Sequence, residues 1–300
     1  EKQPFFNEDK EKEKNEELGD VIQGSEDDGD GDNVYYGSGI FGAGNASAHL
    51  YNTAMGYQAM YSLTGGDYNA AVGYQSSYSN TTGSNNVAMG YSALYANTTG
   101  SNNNAFGFKT LYANTSGANN VAMGHYALTD NTTGDDNTGI GPSTLYENTT
   151  GTYNTAIGST ALRDNTTGNC NTASGAHALR CNTTASDNTA YGACALYTNT
   201  TGNKNTATGY KALIANTTGA HNTASGAYSM INNTTGHWNS AHGTYAFIAN
   251  TTGSCNTASG SYALRNNTTG SFNSALGYRA INNNTTGCKN TASGAYSLYT

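Results

Sequence analysis

From Leu63 to Thr300, one pattern of polar, small and apolar residues returns every seventeen residues, in fourteen copies without insertion or deletion. A weaker copy occupies residues 46–62. Numbered from the Asn of Asn-Thr-Thr, a copy reads N-T-T-G-x-x-N-T-A-x-G-x-x-A-L-x-x. The regular apolar positions are Ala at position 9 and Ala-Leu at positions 14 and 15. A strict period without slippage indicates that every copy lies in the same structural environment, as in a solenoid.

This pattern predicts strands and turns rather than helices. Gly at positions 4 and 11 and Asn at positions 1 and 7 disfavour helix. Short runs such as NTAIG and NVAMG, bounded by Gly and Asn, are typical of strands between turns. We therefore predict an all-β fold, a parallel β-solenoid (β-roll or β-helix) with one seventeen-residue repeat per coil and about 15 coils. At the usual strand spacing of about 4.8 Å, the rod is roughly 70 Å long.

Two positions hold one residue type in all fifteen copies. Position 11 is Gly from Gly56 to Gly294, which predicts a positive φ or a close approach of two backbones. Position 7 is Asn from Asn52 to Asn290, which predicts left-handed turn geometry and a ladder of side-chain hydrogen bonds along the rod.

The apolar core is small, because each coil supplies only two Ala and one Leu to it. We expect ladder hydrogen bonds to supplement this core, or two or three chains to pack side by side. The second alternative would bury the Tyr and Ile residues at position 16, which are Tyr95, Tyr112, Tyr146, Tyr197, Ile214, Ile231 and Ile248.

Charge divides the chain into two regions, an acidic segment (1–44) and the solenoid (45–300). Thirteen of the 20 Asp and Glu but only four of the 12 Lys and Arg lie in residues 1–33, which leaves seven acids and eight bases for the rest. The absence of a basic face disfavours nucleic acid as a partner. No stretch approaches the ~20 apolar residues of a membrane helix. The acids of the solenoid are scattered along the chain, which disfavours an enzyme.

The acidic segment is predicted to be an inter-subunit docking arm. A complete copy ends at Thr300 without a cap, so either the natural chain continues or this open edge docks on another subunit. For the second case, our hypothesis is head-to-tail polymerisation with residues 1–44 packing on a neighbouring chain. Asp28, Asp30 and Asp32 alternate as in a calcium loop, but the closing Glu is missing, so a solvated acidic linker is the alternative.

Cysteine gives little information about the fold. The five cysteines stand at irregular repeat positions, which predicts neither a disulfide framework nor a metal site. Cys181 and Cys194 lie in adjacent copies and are the one candidate pair; free thiols are the other interpretation. We predict no catalytic residue and no cofactor beyond calcium and covalent glycans.

The Asn-Thr-Thr motif matches the acceptor sequence for N-glycosylation, Asn-x-Ser/Thr with x other than Pro. Asn45 begins a further acceptor, Asn-Ala-Ser. Thirteen consecutive copies carry the motif, at Asn80, Asn97, Asn114, Asn131, Asn148, Asn165, Asn182, Asn199, Asn216, Asn233, Asn250, Asn267 and Asn284.

Two departures from the motif favour glycosylation over a bare turn ladder. The third residue changes once, at Ser116, and Ser is the replacement that an acceptor tolerates. In the copy that begins at Leu63 the Asn is lost and the third residue is Gly65, whereas Thr64 between them is kept. We therefore assign the middle Thr to structure, as an inward β-branched residue or a hydroxyl ladder, and the flanking Asn and Thr to glycosylation.

The segments NNVAMGYSAL, NTAIGSTAL and NSALGYRAI resemble the head repeats of trimeric autotransporter adhesins, the Yersinia-adhesin-like heads. The resemblance covers residues 46–300 and implies a left-handed parallel β-roll with three chains side by side. This chain departs from that family in its longer period, in its acceptor motif in nearly every coil, and in having no recognisable stalk or anchor sequence.

These expectations favour a structural protein at the cell surface or outside the cell. The first hypothesis is the subunit of a heavily N-glycosylated fibre or surface appendage that polymerises head to tail. The alternative is an adhesin or binding module that uses its Tyr-rich positions. The third is an ice-binding solenoid, against which the two adjacent Thr of each turn argue, since neighbouring residues of a strand point to opposite faces.

Overall fold

The computed structural model describes residues 23–24, 33–41 and 50–299. These residues form one parallel β-solenoid without helices, so the described chain contains no helix that is long and apolar enough to cross a membrane. Sixteen strands, β2 to β17, pair in parallel in one sheet, and the two-residue β1 pairs with β2 in antiparallel. The predicted fold class is confirmed.

The strands are short and evenly spaced, because each coil contributes only three strand residues. The bounds are β1 Gln23–Gly24, β2 Val34–Tyr36, β3 Thr53–Met55, β4 Ala70–Val72, β5 Val87–Met89, β6 Asn104–Phe106, β7 Val121–Met123, β8 Thr138–Ile140, β9 Thr155–Ile157, β10 Thr172–Ser174, β11 Thr189–Tyr191, β12 Thr206–Thr208, β13 Thr223–Ser225, β14 Ser240–His242, β15 Thr257–Ser259, β16 Ser274–Leu276 and β17 Thr291–Ser293.

The register between neighbouring strands follows the sequence period. Thr155 pairs with Thr172, seventeen residues later, and the same offset holds from β3 to β17. Within each strand the middle residue at position 9 points into the coil and is buried, whereas positions 8 and 10 point outward. Side chains alternate along a strand, so this arrangement puts Ala inside and the most variable position, 10, at the surface.

The turns depend on left-handed backbone at three non-glycine positions. In the coil that starts at Asn148, these are Tyr153 (φ 57°), Thr160 (φ 52°) and Leu162 (φ 52°), at positions 6, 13 and 15. The left-handed geometry predicted for the Asn at repeat position 7 is therefore wrong, because the residue before it takes that conformation. β-Branched and bulky residues seldom adopt positive φ, and the repeat imposes it in every coil.

Position 11 behaves as its invariant Gly predicts, in both respects. Gly226 has φ +133°, and a Cβ added there would lie 2.7 Å from the carbonyl carbon and oxygen of Gly243 in the next coil. Real Cβ atoms essentially never approach backbone so closely. Positive φ and close backbone contact together exclude every side chain at this position.

The solenoid begins before the first copy that the period reveals. Asn33 and β2 form an additional coil, in which Val34 pairs with Thr53 of β3 at an offset of nineteen residues rather than seventeen. The two extra residues hide this coil from a search for the seventeen-residue period. The acidic segment predicted over residues 1–44 thus includes solenoid at residues 33–41.

The interior is a thin apolar column, as predicted. Ala at positions 9 and 14 and Leu, Met, Phe or Ile at position 15 are at most 2% exposed in nearly every described coil. Burial of one Leu and two Ala per coil gives only a few kcal/mol at about 25 cal/mol per Å². The remaining interior volume is filled by asparagine.

Candidate functional site: the Asn-Thr-Thr turn and the exposed columns

The Asn of the Asn-Thr-Thr turn lies inside the rod. The twelve residues from Asn80 to Asn267 at this position are 0% exposed, and Asn284 in the last coil is partly buried. Asn148 shows the geometry: its Nδ2 donates to Asn131 Oδ1 at 2.8 Å and to the Gly151 carbonyl at 3.0 Å. Its Oδ1 accepts from Asn165 Nδ2 at 2.7 Å. The same bonds repeat from coil to coil as a buried amide ladder.

This geometry argues against N-linked glycans on the folded rod at the fully buried Asn80 through Asn267. A glycan replaces one hydrogen of Nδ2, but both hydrogens are donated inside the rod, and the nitrogen has no path to solvent. Loss of a buried amide hydrogen bond costs about 1–3 kcal/mol, before the volume of a sugar is considered. The Asn of the motif therefore has a structural role in the interior of the rod.

The two Thr of the turn differ in their contacts, and the middle one has the structural role predicted for it. Thr149 Oγ1 donates to the Thr166 carbonyl at 3.0 Å, and that oxygen also accepts the N–H groups of Thr149 and Thr150 at 3.0 and 3.2 Å. The middle Thr thus forms the predicted hydroxyl ladder. Thr150, the third residue, is exposed.

The copy with Leu63 shows why Asn and the third Thr were lost together there. Leu63 occupies the buried Asn position next to Asn80 and is 0% exposed, so it covers the end of the amide ladder with an apolar side chain. Thr64 keeps its hydroxyl bond to the Thr81 carbonyl at 3.2 Å. The departure marks the end of a ladder, and the exposed third position tolerates Gly65 as well as Thr.

A second amide ladder follows position 7, as predicted. The N–H of Asn154 donates to Asn137 Oδ1 at 3.0 Å, and its Nδ2 donates to the Gly168 carbonyl at 2.8 Å. Asn165 Nδ2 donates to the same carbonyl at 3.0 Å. The two ladders therefore meet at the position-4 carbonyl of each coil and form one buried polar network along the rod.

The remaining predicted sites divide between described and undescribed parts of the chain. Asn45 and the calcium candidates Asp28, Asp30 and Asp32 lie outside the described residues. All five cysteines are free, including the candidate pair Cys181 and Cys194. Within the described part of the chain, no three His, Cys, Asp or Glu side chains are grouped so as to hold a metal ion.

The exposed face of the sheet changes character half-way along the rod. At position 10 the residues up to β9 are Met55, Val72, Met89, Phe106, Met123, Ile140 and Ile157, whereas from β10 they are Ser174, Tyr191, Thr208, Ser225, His242, Ser259, Leu276 and Ser293. Met55, Met89 and Ile157 are 49%, 43% and 43% exposed. The period hides this change, because it reports what the copies share and not where they differ.

Position 12 adds an aromatic column beside the apolar residues of β3 to β6. The rings of Tyr57, Tyr74, Tyr91 and Phe108 stack in sequence with centroids 5.4, 5.0 and 5.3 Å apart and interplanar angles of 8° to 16°. Their faces cover one another, so that mainly ring edges face solvent.

Position 16, the predicted packing surface, is less exposed than these columns. Tyr78, Tyr95 and Tyr112 stack at 5.1 Å and are partly buried within the chain. Burial, together with the neighbouring phenols of Tyr112, Tyr78 and Tyr74, raises the pKa of Tyr95. Positions 10 and 12 therefore expose more apolar surface than position 16. Position 6 also carries exposed aromatic side chains, Tyr68, Tyr153, Trp238 and Phe272, but they are scattered along the rod and form no continuous column.

Comparison of the chain with protein-family models, with curated proteins and with solved structures finds no match. The resemblance to adhesin heads is therefore supported for the solenoid fold only. The chain is not shown to belong to that family.

Proposed function

We propose that the chain is the structural subunit of a fibre or surface appendage, in which it acts as a stiff rod. The observation that carries this proposal is the use of the repeated residues. Positions 1, 2, 4, 7, 9, 11, 14 and 15 are each engaged in holding one coil to the next or in filling the interior. What the repeat preserves is therefore a shape of constant cross-section.

We place this rod at the cell surface or outside the cell, because its repeats resemble those of adhesin heads. N-linked glycans are not part of the proposal, since the acceptor nitrogens are buried and hydrogen-bonded. End-to-end polymerisation stays a prediction, and filaments longer than one chain in electron micrographs would support it.

The proposal is tested by deleting residues 182–198, one complete coil, and comparing the variant with a deletion of residues 183–198. The first deletion joins equivalent positions and should shorten the rod by about 4.8 Å while keeping its β spectrum. The second leaves one coil of eighteen residues, in which the extra residue displaces the interior side chains of that coil relative to both neighbours. A rod that tolerates both deletions equally, or neither, would contradict the proposal.

Ice binding is a second candidate, because the outward face of β10 to β17 carries a regular array of hydroxyls. Thr or Ser occupies all of positions 8 and 10 except Tyr191, His242 and Leu276. Along a strand these hydroxyls are about 6.7 Å apart and between strands about 4.8 Å. Thermal hysteresis in the intact chain that vanishes in Thr206→Val with Thr223→Val would support this function. Its absence in the intact chain would exclude the candidate.

A further inference from the structure

The apolar face is defined here as position 10 of the coils from β3 to β9 together with position 12 of the coils from β3 to β6. Its members are Met55, Val72, Met89, Phe106, Met123, Ile140 and Ile157 in one column and Tyr57, Tyr74, Tyr91 and Phe108 in the other. The exposed fractions of these side chains reach 49% at Met55 and 48% at Tyr57. The interior of the rod does not require this face, because Ser and Thr occupy position 10 in the later coils with unchanged strand pairing.

The area of this face exceeds that of an ordinary surface patch. An aromatic side chain presents about 200 Å² and the aliphatic ones less, so eleven side chains at roughly 40% exposure present on the order of 800 Å². The largest apolar patch on a typical monomer is about 300–600 Å², and a stable interface buries about 800 Å² per partner. The face is therefore large enough for a stable interface.

The chemistry of the face narrows the choice of partner. Positions 8, 10 and 12 carry no Lys, Arg, Asp or Glu between residues 53 and 159. One cation borders the face, Lys109, whose Nζ lies 5.7 Å from the centre of the Phe108 ring, so the face itself offers little to an ionic ligand. Both ring faces of Tyr74 and Tyr91 are covered by their neighbours, so these rings are not free to stack on sugar rings. The apolar side chains of successive coils thus form uncharged ridges that repeat about every 5 Å along the rod.

We propose that the apolar face binds the same face of a second copy of this chain. A second copy has uncharged ridges of the same spacing. The ridges of one copy can therefore fit into the grooves of the other along the whole face. Interdigitation of apolar side chains between two such sheets is the way in which stacked strands exclude water. The proposal rests on the proposed function, because only a straight rod keeps the ridges of seven coils in line.

The test is sedimentation velocity of the intact chain over a range of concentrations, with a triple variant in the apolar face. The wild type should sediment as a dimer at micromolar concentration, and dimerisation should persist in high salt because no charges take part. In Met89→Ser, Met123→Ser, Ile140→Thr the dissociation constant should rise at least ~100-fold. These replacements are the residue types that the same column carries at Ser174 and Thr208.

The matched control is Tyr191→Ser with Leu276→Ser, which removes apolar groups from the same column in the other half of the rod. This variant should dimerise like the wild type. A wild type that stays monomeric, a triple variant that dimerises unchanged, or a control that dissociates equally would each overturn the proposal. None of these outcomes would affect the coil-deletion test, so failure of the interface is distinguishable from failure of the rod.

Hydroxyl-radical labelling of the wild type keeps the proposal testable if the triple variant does not fold. With rising protein concentration, labelling of Met55, Met89 and Met123 should fall, whereas labelling of the exposed Trp238 should stay constant. Equal labelling of the methionines at all concentrations would overturn the proposal.

Discussion

The two halves of the rod share one interior and differ on one face. From β3 to β9 the outward column at position 10 is wholly apolar, and from β10 to β17 it is mostly Ser and Thr. Both halves have the same strand register, the same amide ladders and the same buried Ala and Leu. The comparison shows that one set of positions specifies the rod and another, independent set specifies what the rod contacts.

The largest effect should come from the glycine column, and it should be the same in both halves. Gly90→Ala and Gly226→Ala each place a Cβ 2.7 Å from the carbonyl carbon of the next coil at a φ that only Gly adopts readily. We expect each to lower the free energy of unfolding by at least about 3 kcal/mol in urea titrations. The control is Gly65→Ala, whose Cβ would meet only the Thr82 methyl at 3.8 Å.

Unequal effects of the two glycine substitutions would contradict this prediction. If Gly226→Ala were tolerated while Gly90→Ala unfolded the chain, the two halves would not share one interior. A loss of stability in Gly65→Ala equal to that of the other two would show that the assay reports any substitution of Gly.

The next effect should come from the amide ladder. Asn148→Ala removes the bonds to Asn131, Gly151 and Asn165 and leaves buried donors and acceptors without partners. We expect a loss of about 2–4 kcal/mol of unfolding free energy. Thr150→Ala in the same motif should change stability by less than about 0.5 kcal/mol, because its side chain is exposed. Equal losses in the two variants would contradict the assignment of roles.

A smaller effect is expected when the second half is given the surface of the first. Ser174→Ile, Ser225→Ile and Ser259→Met extend the apolar face along the rod. We expect about a 10-fold lower dissociation constant of the dimer by sedimentation, with unfolding free energy unchanged. The control, Thr150→Ile, adds an apolar group to a different column. Tighter association in the control would mean that any added apolar group suffices.

The smallest effect concerns a single carboxyl group in the first half. Burial raises the pKa of Asp130 in the folded state. Between the unfolded and folded pKa values the folded chain binds more protons, so stability falls as pH rises through that window. Asp130→Asn should therefore stabilise the rod slightly at neutral pH, by well under about 1 kcal/mol, because the side chain is only half-buried. Urea titrations at pH 3 and pH 7 that show a larger gain at pH 3 would contradict this.

The sequence predicts most of the fold because the repeat is strict. The coil length, the strands, the Gly column and the ladder at position 7 follow from one residue type recurring at one position, such as Asn154. The coil at Asn33 could not be found in this way, because its offset to Asn52 is nineteen residues. The left-handed residues at positions 6, 13 and 15 were also missed, since Tyr153, Thr160 and Leu162 carry no preference for that conformation.

The candidate site was harder to predict than the fold, for a physical reason. A glycosylation acceptor and a buried Asn-Thr ladder have the same amino-acid sequence. They differ in whether the Asn side chain, such as that of Asn148, points to solvent or into the rod. The signal that points to the ladder is Leu63, an apolar residue in the Asn position, since a large aliphatic group replaces a buried residue more readily than a glycan-bearing one.

The most direct test of the claim that Asn-Thr-Thr builds the rod uses a cell that attaches N-linked glycans. Acceptors are modified on an unfolded chain, so folded rods should be separated by size and their glycopeptides analysed by mass spectrometry. The account predicts unmodified Asn97, Asn148 and Asn216 in every folded rod, and glycans only on chains without the β spectrum. Folded rods with a sugar on Asn148 would contradict it.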